Sequence, residues 1–512
     1  MKITSQVLVF NLSIFDITRP NVYNLTRFGR VIIMTKNTNI IGREYEMMQL
    51  DDCMSSNVTQ LIIVYGRRRV GKTFLINNYF NNKFAFKITG SLNQNKSQQL
   101  NNFIEELNGK TNKKYDNPKS WQEAFNYLKE YLQSLSKKQK QVIFIDEMPW
   151  LDNHKSGFLA SFEWFYNHFA STMNNLVFIV CGSATSWMID KFNNNSGLYN
   201  RHTGRIYLEP FNLYETKQFL KAKGINWNDY DIAQCYMVMG GIPYYLNLLN
   251  KRYSYRQNID NLFFKQHSTL FDEFEHLYSS LFSSSDGYIK VIEAISKKNS
   301  GLSRNEIIDI SGLPTNGALS KILNDLVYSG FLKANKMYNN KKKETVYQLS
   351  DYYSLFYLRF IKNNYGKDEY FWSNTIDNPS QRAWAGYTFE LLCKDHIRQI
   401  KQKLGIAGVL SSQSSWRSKS DEQLNTDGCQ IDLLIDRRDM TINICEMKFS
   451  INEFVIDKNY DQILRNKIEA FNKLTDNKKS LQLTMITTFG VKQNKYSNII
   501  QNEVLLENLF IK

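Results

Sequence analysis

Apolar positions in the first half of the chain follow two rhythms. The runs LIIVY (61–65), KFAFKIT (83–89), QVIFIDE (141–147) and NLVFIVCGS (175–183) have the length and β-branched content of buried strands. Between them, FLINNYF (74–80) and WQEAFNYLKEYLQSL (121–135) place apolar residues at helical spacing. Strands alternating with helices predict an α/β fold with a parallel sheet. Residues near 212–280 keep mostly helical spacing, punctuated by Gly240–Pro243.

A smaller unit follows near 284–350. Ser303 and Glu306 have capping-box spacing ahead of Ile307 and Ile308. GLP (312–314) predicts a turn, and Leu319, Ile322, Leu323 and Leu326 then recur at helical spacing. Residues 331–349 read as a hairpin around Asn339–Asn340. Helix, turn, helix, hairpin is a winged-helix pattern. Its basic tip, Lys341–Lys343, suits either a phosphate contact or a solvated spacer. DYYSLFYLRF (351–360) predicts a packing helix, and a last α/β segment runs to Lys512.

Composition sharpens the class. At 512 residues the chain exceeds one ordinary domain. A formal net charge of +15 favours an anionic partner, DNA before a membrane surface, unless the lysines are merely solvated. The cysteines lack CxxC spacing, which argues against a disulfide frame or zinc site and for a reducing compartment such as the cytoplasm. No apolar run has transmembrane length. Residues 1–33 read as an N-terminal extension that need not be native, because Met34 precedes the first motif.

The chemistry starts at the end of the first strand. Gly66-Arg67-Arg68-Arg69-Val70-Gly71-Lys72-Thr73, with Phe74 beside it, fits the P-loop that binds ATP. Glycines let backbone N–H groups wrap phosphates, and the following helix N-terminus adds a favourable dipole. Lys72 is expected on the β/γ-phosphates and Thr73 on Mg2+. Asp146, at a strand end, would hold Mg2+ mainly through water, and Glu147 would orient or polarise the attacking water. Ser183 ends the next strand and is placed to sense the γ-phosphate. Arg201 and Arg205 suit transition-state stabilisation, in cis or across the interface of a homo-oligomer, or a surface salt bridge. The side chains of Arg67, Arg68 and Arg69 are expected on the outer rim of the loop. There they would meet an interdomain acid cluster or a DNA strand.

IIGREYEM (40–47), YGRRRVGKT, FIDEMPWL, CGSATSWM, LYNRHTGRIYLEPF and GGIPYYL occur in that order. Over roughly residues 38–360 the chain resembles the archaeal-type ATPases, AAA-like proteins related to the STAND class of signalling NTPases. The resemblance implies an ATP-binding core, a helical lid and a winged helix. It also implies that Gly42, Arg43 and Glu44 lie near the nucleotide base, and that Gly241 to Pro243 form the lid side of the site. Members often carry paired serines after the strand-end glycine. Ser183-Ala184 departs from this and leaves the sensor role to Ser183 or Thr185.

A second acid cluster lies further on. GYTFELLCKDHI places Glu390 on a helix, and GCQIDLLIDRRDMTINICEMKFS reads as a hairpin turning at Arg437–Met440. Alternation puts Glu446 and Lys448 on one strand face, which Asp432 can reach from the partner strand. Carboxylates converging beside a lysine suit a second Mg2+ or Mn2+ site and a phosphodiester; a surface salt bridge is the plainer alternative. Asp432…Glu446-Met447-Lys448 with an upstream helical acid resembles the PD-(D/E)XK nucleases over roughly 380–480, with Ile431 where a proline is usual. The chain is therefore expected to be a P-loop NTPase core (34–211), a helical lid (212–283), a winged helix (284–360) and a restriction-endonuclease-like α/β domain (361–512). Its expected function is an ATPase coupled to a DNA-acting nuclease-like domain. The alternative is a nucleotide-gated DNA-binding or signalling switch without cleavage.

Overall fold

The computed structural model describes residues 40–153, 155–193, 197–282, 284–338, 345–364, 367–376, 378–419 and 428–512. The N-terminal extension, the Asn339–Asn340 turn and the basic tip Lys341–Lys343 lie outside them.

Five parallel strands form the first sheet: β1 (Gln60–Tyr65), β2 (Phe86–Thr89), β3 (Gln141–Asp146), β4 (Leu176–Gly182) and β5 (Gly204–Tyr207). Their order is β2-β3-β4-β1-β5. Both faces are covered, and the strand period of two divides the apolar residues between two cores. Ile62, Val64, Phe144 and Ile179 enter one core, while Leu61, Ile63, Ile143 and Phe178 enter the other. Helices Lys96–Asn108, Trp121–Ser134 and Phe158–His168 close the second. Strand β5 was absent from the sequence pattern. GRIY is short, and only Ile206 of its residues is buried.

The other core runs without a break through helices between Leu213 and Leu281 and on through residues 285–361. The latter unit has helices Ser285–Ser296, Arg304–Ser311 and Gly317–Tyr328 and a small sheet. That sheet is made of β6 (Leu302–Ser303), β7 (Leu332–Lys336) and β8 (Thr345–Leu349), in the order β6-β8-β7. Ser303 and Glu306 form a reciprocal capping box at the second helix. Helix Gly317–Tyr328 packs against helix Thr185–Asn193 of the first sheet's layer.

The C-terminal sheet is mixed. Strands β9 (Ser411–Arg417), β10 (Gln430–Arg437) and β11 (Thr441–Lys448) are antiparallel, and β11, β12 (Ser480–Thr487) and β13 (Asn502–Leu505) are parallel. Helix Lys458–Thr475 is the crossover from β11 to β12. Helix Pro379–Asp395 packs on β11 and also on helix Asp229–Met239. There Tyr230 stacks on Phe449, ring centroids 4.9 Å apart, directly after Lys448. The small sheet joins in too, through a bridge from Met337 to Ser415 on β9. Among the described residues no helix is long and apolar enough to cross a membrane.

His396 is a joint between these parts. Its Nε2 accepts from Leu213 N at 2.9 Å, so Nδ1 carries the proton and donates to Leu392 O at 2.8 Å. Burial pushes its pKa below the ordinary histidine value, so the folded chain keeps it neutral where the unfolded chain is protonated. Stability from this site is therefore present at neutral pH and lost as pH falls below about 6.5. Urea midpoints measured at neutral and mildly acid pH are expected to diverge more for the wild type than for His396→Asn.

Candidate functional site

The first sheet delivers its chemistry at the carboxyl ends of β1, β3 and β4. After Tyr65 the chain turns through Gly66, whose φ of 143° and closeness to the Leu208 carbonyl exclude a side chain. Gly71, with φ 92°, caps helix Lys72–Tyr79. Lys72 is buried, and its Nζ donates to the carbonyls of Gly66 at 2.9 Å and Arg67 at 3.0 Å. Burial lowers its pKa, opposed by nearby Glu147. Thr73 Oγ1 donates to Asp146 Oδ2 at 2.8 Å, which ties the loop to the end of β3. Asp146 is buried, and burial raises its pKa while the Thr73 bond opposes. Glu147 takes a left-handed conformation with φ 46°. Its Oε2 accepts from Ser183 N at 3.0 Å and Ser183 Oγ at 2.8 Å. The strand ends thus gather Lys72, Thr73, Asp146, Glu147 and Ser183.

A triphosphate with magnesium suits this donor set. Two glycines shape the loop, Lys72 Nζ rests only on carbonyls of its own loop, and Arg68 Nη1 is a buried donor without an acceptor among the described residues. Val70 is buried beneath the loop and Phe74 is 53% exposed beside it. Gly42 and Arg43, both in left-handed conformations, precede helix Glu44–Ser55. Arg43 braces the loop from outside: it donates to Val70 O at 3.2 Å and Glu209 O at 2.8 Å, and lies over the Phe211 ring.

The arginine run does not form the expected rim. Arg67 is only 6% exposed and pairs with Asp351, itself buried. Burial opposes the Arg67 charge, and Asp351, with Tyr245 and Tyr278 nearby, more than offsets this. Arg69 pairs with Glu273 and lies 4.2 Å from the centre of the Tyr244 ring. Arg68 faces Trp150 at 5.8 Å. Pro243 starts the short helix Pro243–Asn247 that carries Tyr244, after Gly240 and Gly241 with φ near 65°. Of the two expected partners for the run, the structure supplies the acids. They come from helix Glu273–Leu281 and from the residue capping helix Tyr352–Phe356.

Arg201 and Arg205 are not brought to this site. Thr203 N donates to Leu61 O, and Arg205 is level with Ile63. The strand rise therefore leaves Thr203 roughly 13 Å short of Tyr65, toward the far end of the sheet. Both arginines are exposed, and Arg205 Nε donates to His202 Nε2 at 2.6 Å. A role in cis is thereby corrected by the register of β5.

In the C-terminal sheet the register Leu433↔Cys445 puts Asp432 next in line opposite Glu446. Glu390 and Asp432 face one slot of about 50 Å3, which is also lined by Lys394 and, from the middle unit, by Asn335 and Gln348. Glu390 is pushed up to about 8, first by burial and then by Asp432. Glu446 is buried, and Lys448 Nζ lies 3.0 Å from its Oε1. Two contacts were not legible beforehand: Tyr460 donates to Glu446 Oε1 and Lys467 to Oε2, the latter at 2.8 Å. Their seven-residue spacing on one helix was the available signal. Among the described residues no three His, Cys, Asp or Glu side chains are grouped to hold a metal ion.

Residues 40–249 match a family model described as an ATPase domain predominantly from Archaea. An uncharacterized protein of Methanocaldococcus jannaschii, MJECL04, is 27% identical over 379 residues, 71% of this chain and 78% of that one. An uncharacterized ATP-binding protein of the same organism, MJ0423, is 46% identical over 43 residues, 8% of this chain and 73% of that one. Solved structures with similarity include the Walker-type ATPase PABY2304 of Pyrococcus abyssi. It has 18% identity and a TM-score of 0.45, over 63% of this chain and 96% of that one. The Aeropyrum pernix ORC2 protein has 11% identity and a TM-score of 0.40, over 70% and 97% respectively. Residues 40–249, with the loop, strand-end acids and parallel sheet just described, are an ATPase domain of the archaeal type.

Proposed function

We propose that the chain is a Mg2+-dependent ATPase whose nucleotide state is passed to a C-terminal PD-(D/E)XK nuclease-like domain acting on DNA. The observation that carries the first half is the 2.8 Å bond from Thr73 to Asp146, with Glu147 next in the chain. It places a P-loop hydroxyl and a strand-end carboxylate where one cation would meet both. Magnesium bound there supplies charge neutralisation at the β/γ-phosphates. Lys72 would hold the same phosphates through its ammonium. Glu147 would orient water once released from Ser183, which in this conformation occupies its Oε2 through two bonds. Residues 212–283 then act as the lid and 284–360 as a winged helix.

Two ion pairs support the coupling. Arg67 and Arg69 leave the nucleotide loop for Asp351 and Glu273, at the far ends of the winged-helix and lid segments. A loop reshaped by ATP therefore pulls on both. The lid helix Asp229–Met239 packs on the helix bearing Glu390, and the small sheet roofs the slot of Glu390 and Asp432.

For the C-terminal acids, burial and then Asp432 raise Glu390 to about 8, while against its own burial Lys467 and Lys448 hold Glu446 below the ordinary glutamate value. Holding Mg2+ or Mn2+, which would activate water, would require Glu390, Asp432 and Glu446 to draw closer than they stand, since among the described residues they are not grouped for a metal ion. Lys448 would stabilise phosphodiester charge. Plasmid DNA is expected to be cut with Mg2+ or Mn2+ by the wild type and left intact by Asp432→Ala. Equal cutting by both would assign the activity elsewhere.

One observation favours a second reading. Glu446 is already met by two lysines and a tyrosine. A switch that binds DNA without cleaving it needs no metal there. DNA affinity that falls steeply with salt, is unchanged in Glu446→Ala and comes without cleavage would select this reading.

A further inference from the structure

Three of the arginines around the nucleotide loop are held by protein oxygens. Arg43 donates to the Val70 and Glu209 carbonyls, Arg67 pairs with Asp351, and Arg69 pairs with Glu273. Arg68 pairs with no carboxylate among the described residues, and its Nη1 is buried without an acceptor. Other nitrogens of Arg67 and Arg69 also lack an acceptor, but both of those guanidiniums already face an acid. Buried donors are normally matched, so an unmatched cation at a phosphate loop points to a ligand oxygen.

The surroundings of Arg68 fit this. Its Cζ lies 5.8 Å from the centre of the Trp150 ring, near the limit of about 6 Å for cation–π attraction, so the ring steadies the arm without fixing it. Trp150 belongs to helix Met148–Leu151, directly after Glu147, and its N donates to Glu147 O at 3.0 Å. Burial lowers the Lys72 pKa, and Arg68 is near enough to add to that lowering, against Glu147, Cys181 and Asp146. The guanidinium is thus close both to the Lys72 ammonium and to the turn that carries Glu147. Arg201 and Arg205 are kept from this place by the register of β5.

We propose that Arg68 is the catalytic arginine of this domain, meeting the γ-phosphate of ATP beside Lys72 and stabilising the charge that develops there. This deepens the ATPase reading above and rests on it. Hydrolysis joins a water oxygen to the γ-phosphorus while the bond to the β–γ bridging oxygen breaks. The electron pair of that bond leaves on ADP, one water proton stays on the phosphate, and the other passes to solvent. Negative charge is spread over the γ oxygens on the way. A guanidinium presents paired N–H groups that match two such oxygens, which an ammonium does not. ADP lacks the γ-phosphate, so Arg68 also distinguishes the two nucleotides.

The test is phosphate release by the full chain in Mg2+, beside calorimetric titration with ADP and with a non-hydrolysable ATP analogue. Arg68→Met keeps the aliphatic stem over Trp150 and removes the guanidinium. It is expected to lower turnover by about 100- to 1,000-fold. Affinity for the ATP analogue is expected to fall by about tenfold, the worth of one charge-assisted hydrogen bond, with ADP affinity unchanged. Arg68→Lys is expected to recover part of both losses. If Arg68→Met fails to fold, Arg68→Gln carries the same comparison. Turnover near the wild-type rate, or equal losses of ADP and analogue affinity, overturns the role of Arg68 and spares the ATPase reading. No turnover by the wild type overturns both.

Discussion

Lys72→Ala is expected to lower ATP turnover by about 100- to 1,000-fold, the loss typical of one preorganised charge-stabilising donor in a buried site. The reason is local. Lys72 Nζ is buried with two loop carbonyls as its hydrogen-bond acceptors, and Glu147 and Asp146 help to hold its charge. Alanine removes the ammonium that faces developing phosphate charge, and water cannot replace it inside the closed loop. Glu147→Gln separates binding from chemistry. The amide still has an oxygen for Ser183, so ATP should bind while turnover falls. Steady-state phosphate release measures both variants. Turnover of Lys72→Ala near the wild-type rate would place hydrolysis at another site.

Arg67→Met is expected to destabilise the chain by about 3–5 kcal/mol, because it strands the buried Asp351 carboxylate. Asp351 is 2% exposed, and among the described residues its carboxylate, besides pairing with Arg67, accepts only from Ser354, from its N at 3.0 Å and its hydroxyl. Replacing the whole pair costs less than breaking it. Arg67→Met with Asp351→Asn is therefore expected to recover much of the loss, since the amide oxygen can still cap Ser354. Chemical denaturation of the two variants beside the wild type measures this. Equal losses in both would show that the pair is not the reason for the destabilisation.

The nucleotide site was legible because its chemistry is contiguous. A P-loop needs Gly66, Gly71, Lys72 and Thr73 within eight positions, and Asp146-Glu147 stand at the end of an apolar strand. The β10–β11 hairpin was legible for a similar reason, since a period of two fixes which residues share a face. The partner of Arg67 was not. Asp351 lies 284 residues away, and sequence spacing carries no information about that distance. For the same reason the arginine run left acids and DNA equally open. Strand β5 escaped notice as an edge strand with little to bury, and that omission also made Arg201 and Arg205 look closer to the site than the register allows. Tyr460 and Lys467 lie in the last α/β segment, where nothing in their spacing ties them to Glu446 until the sheet brings it to their helix.

Plasmid cleavage with and without ATP, in the wild type and in Lys72→Ala, bears most directly on the coupling between the two sites. If nucleotide state reaches the C-terminal acids, cleavage by the wild type in Mg2+ or Mn2+ changes with ATP. Cleavage by Lys72→Ala then ignores ATP, and Asp432→Ala does not cut. Cleavage by the wild type that is the same with and without ATP would contradict the coupling.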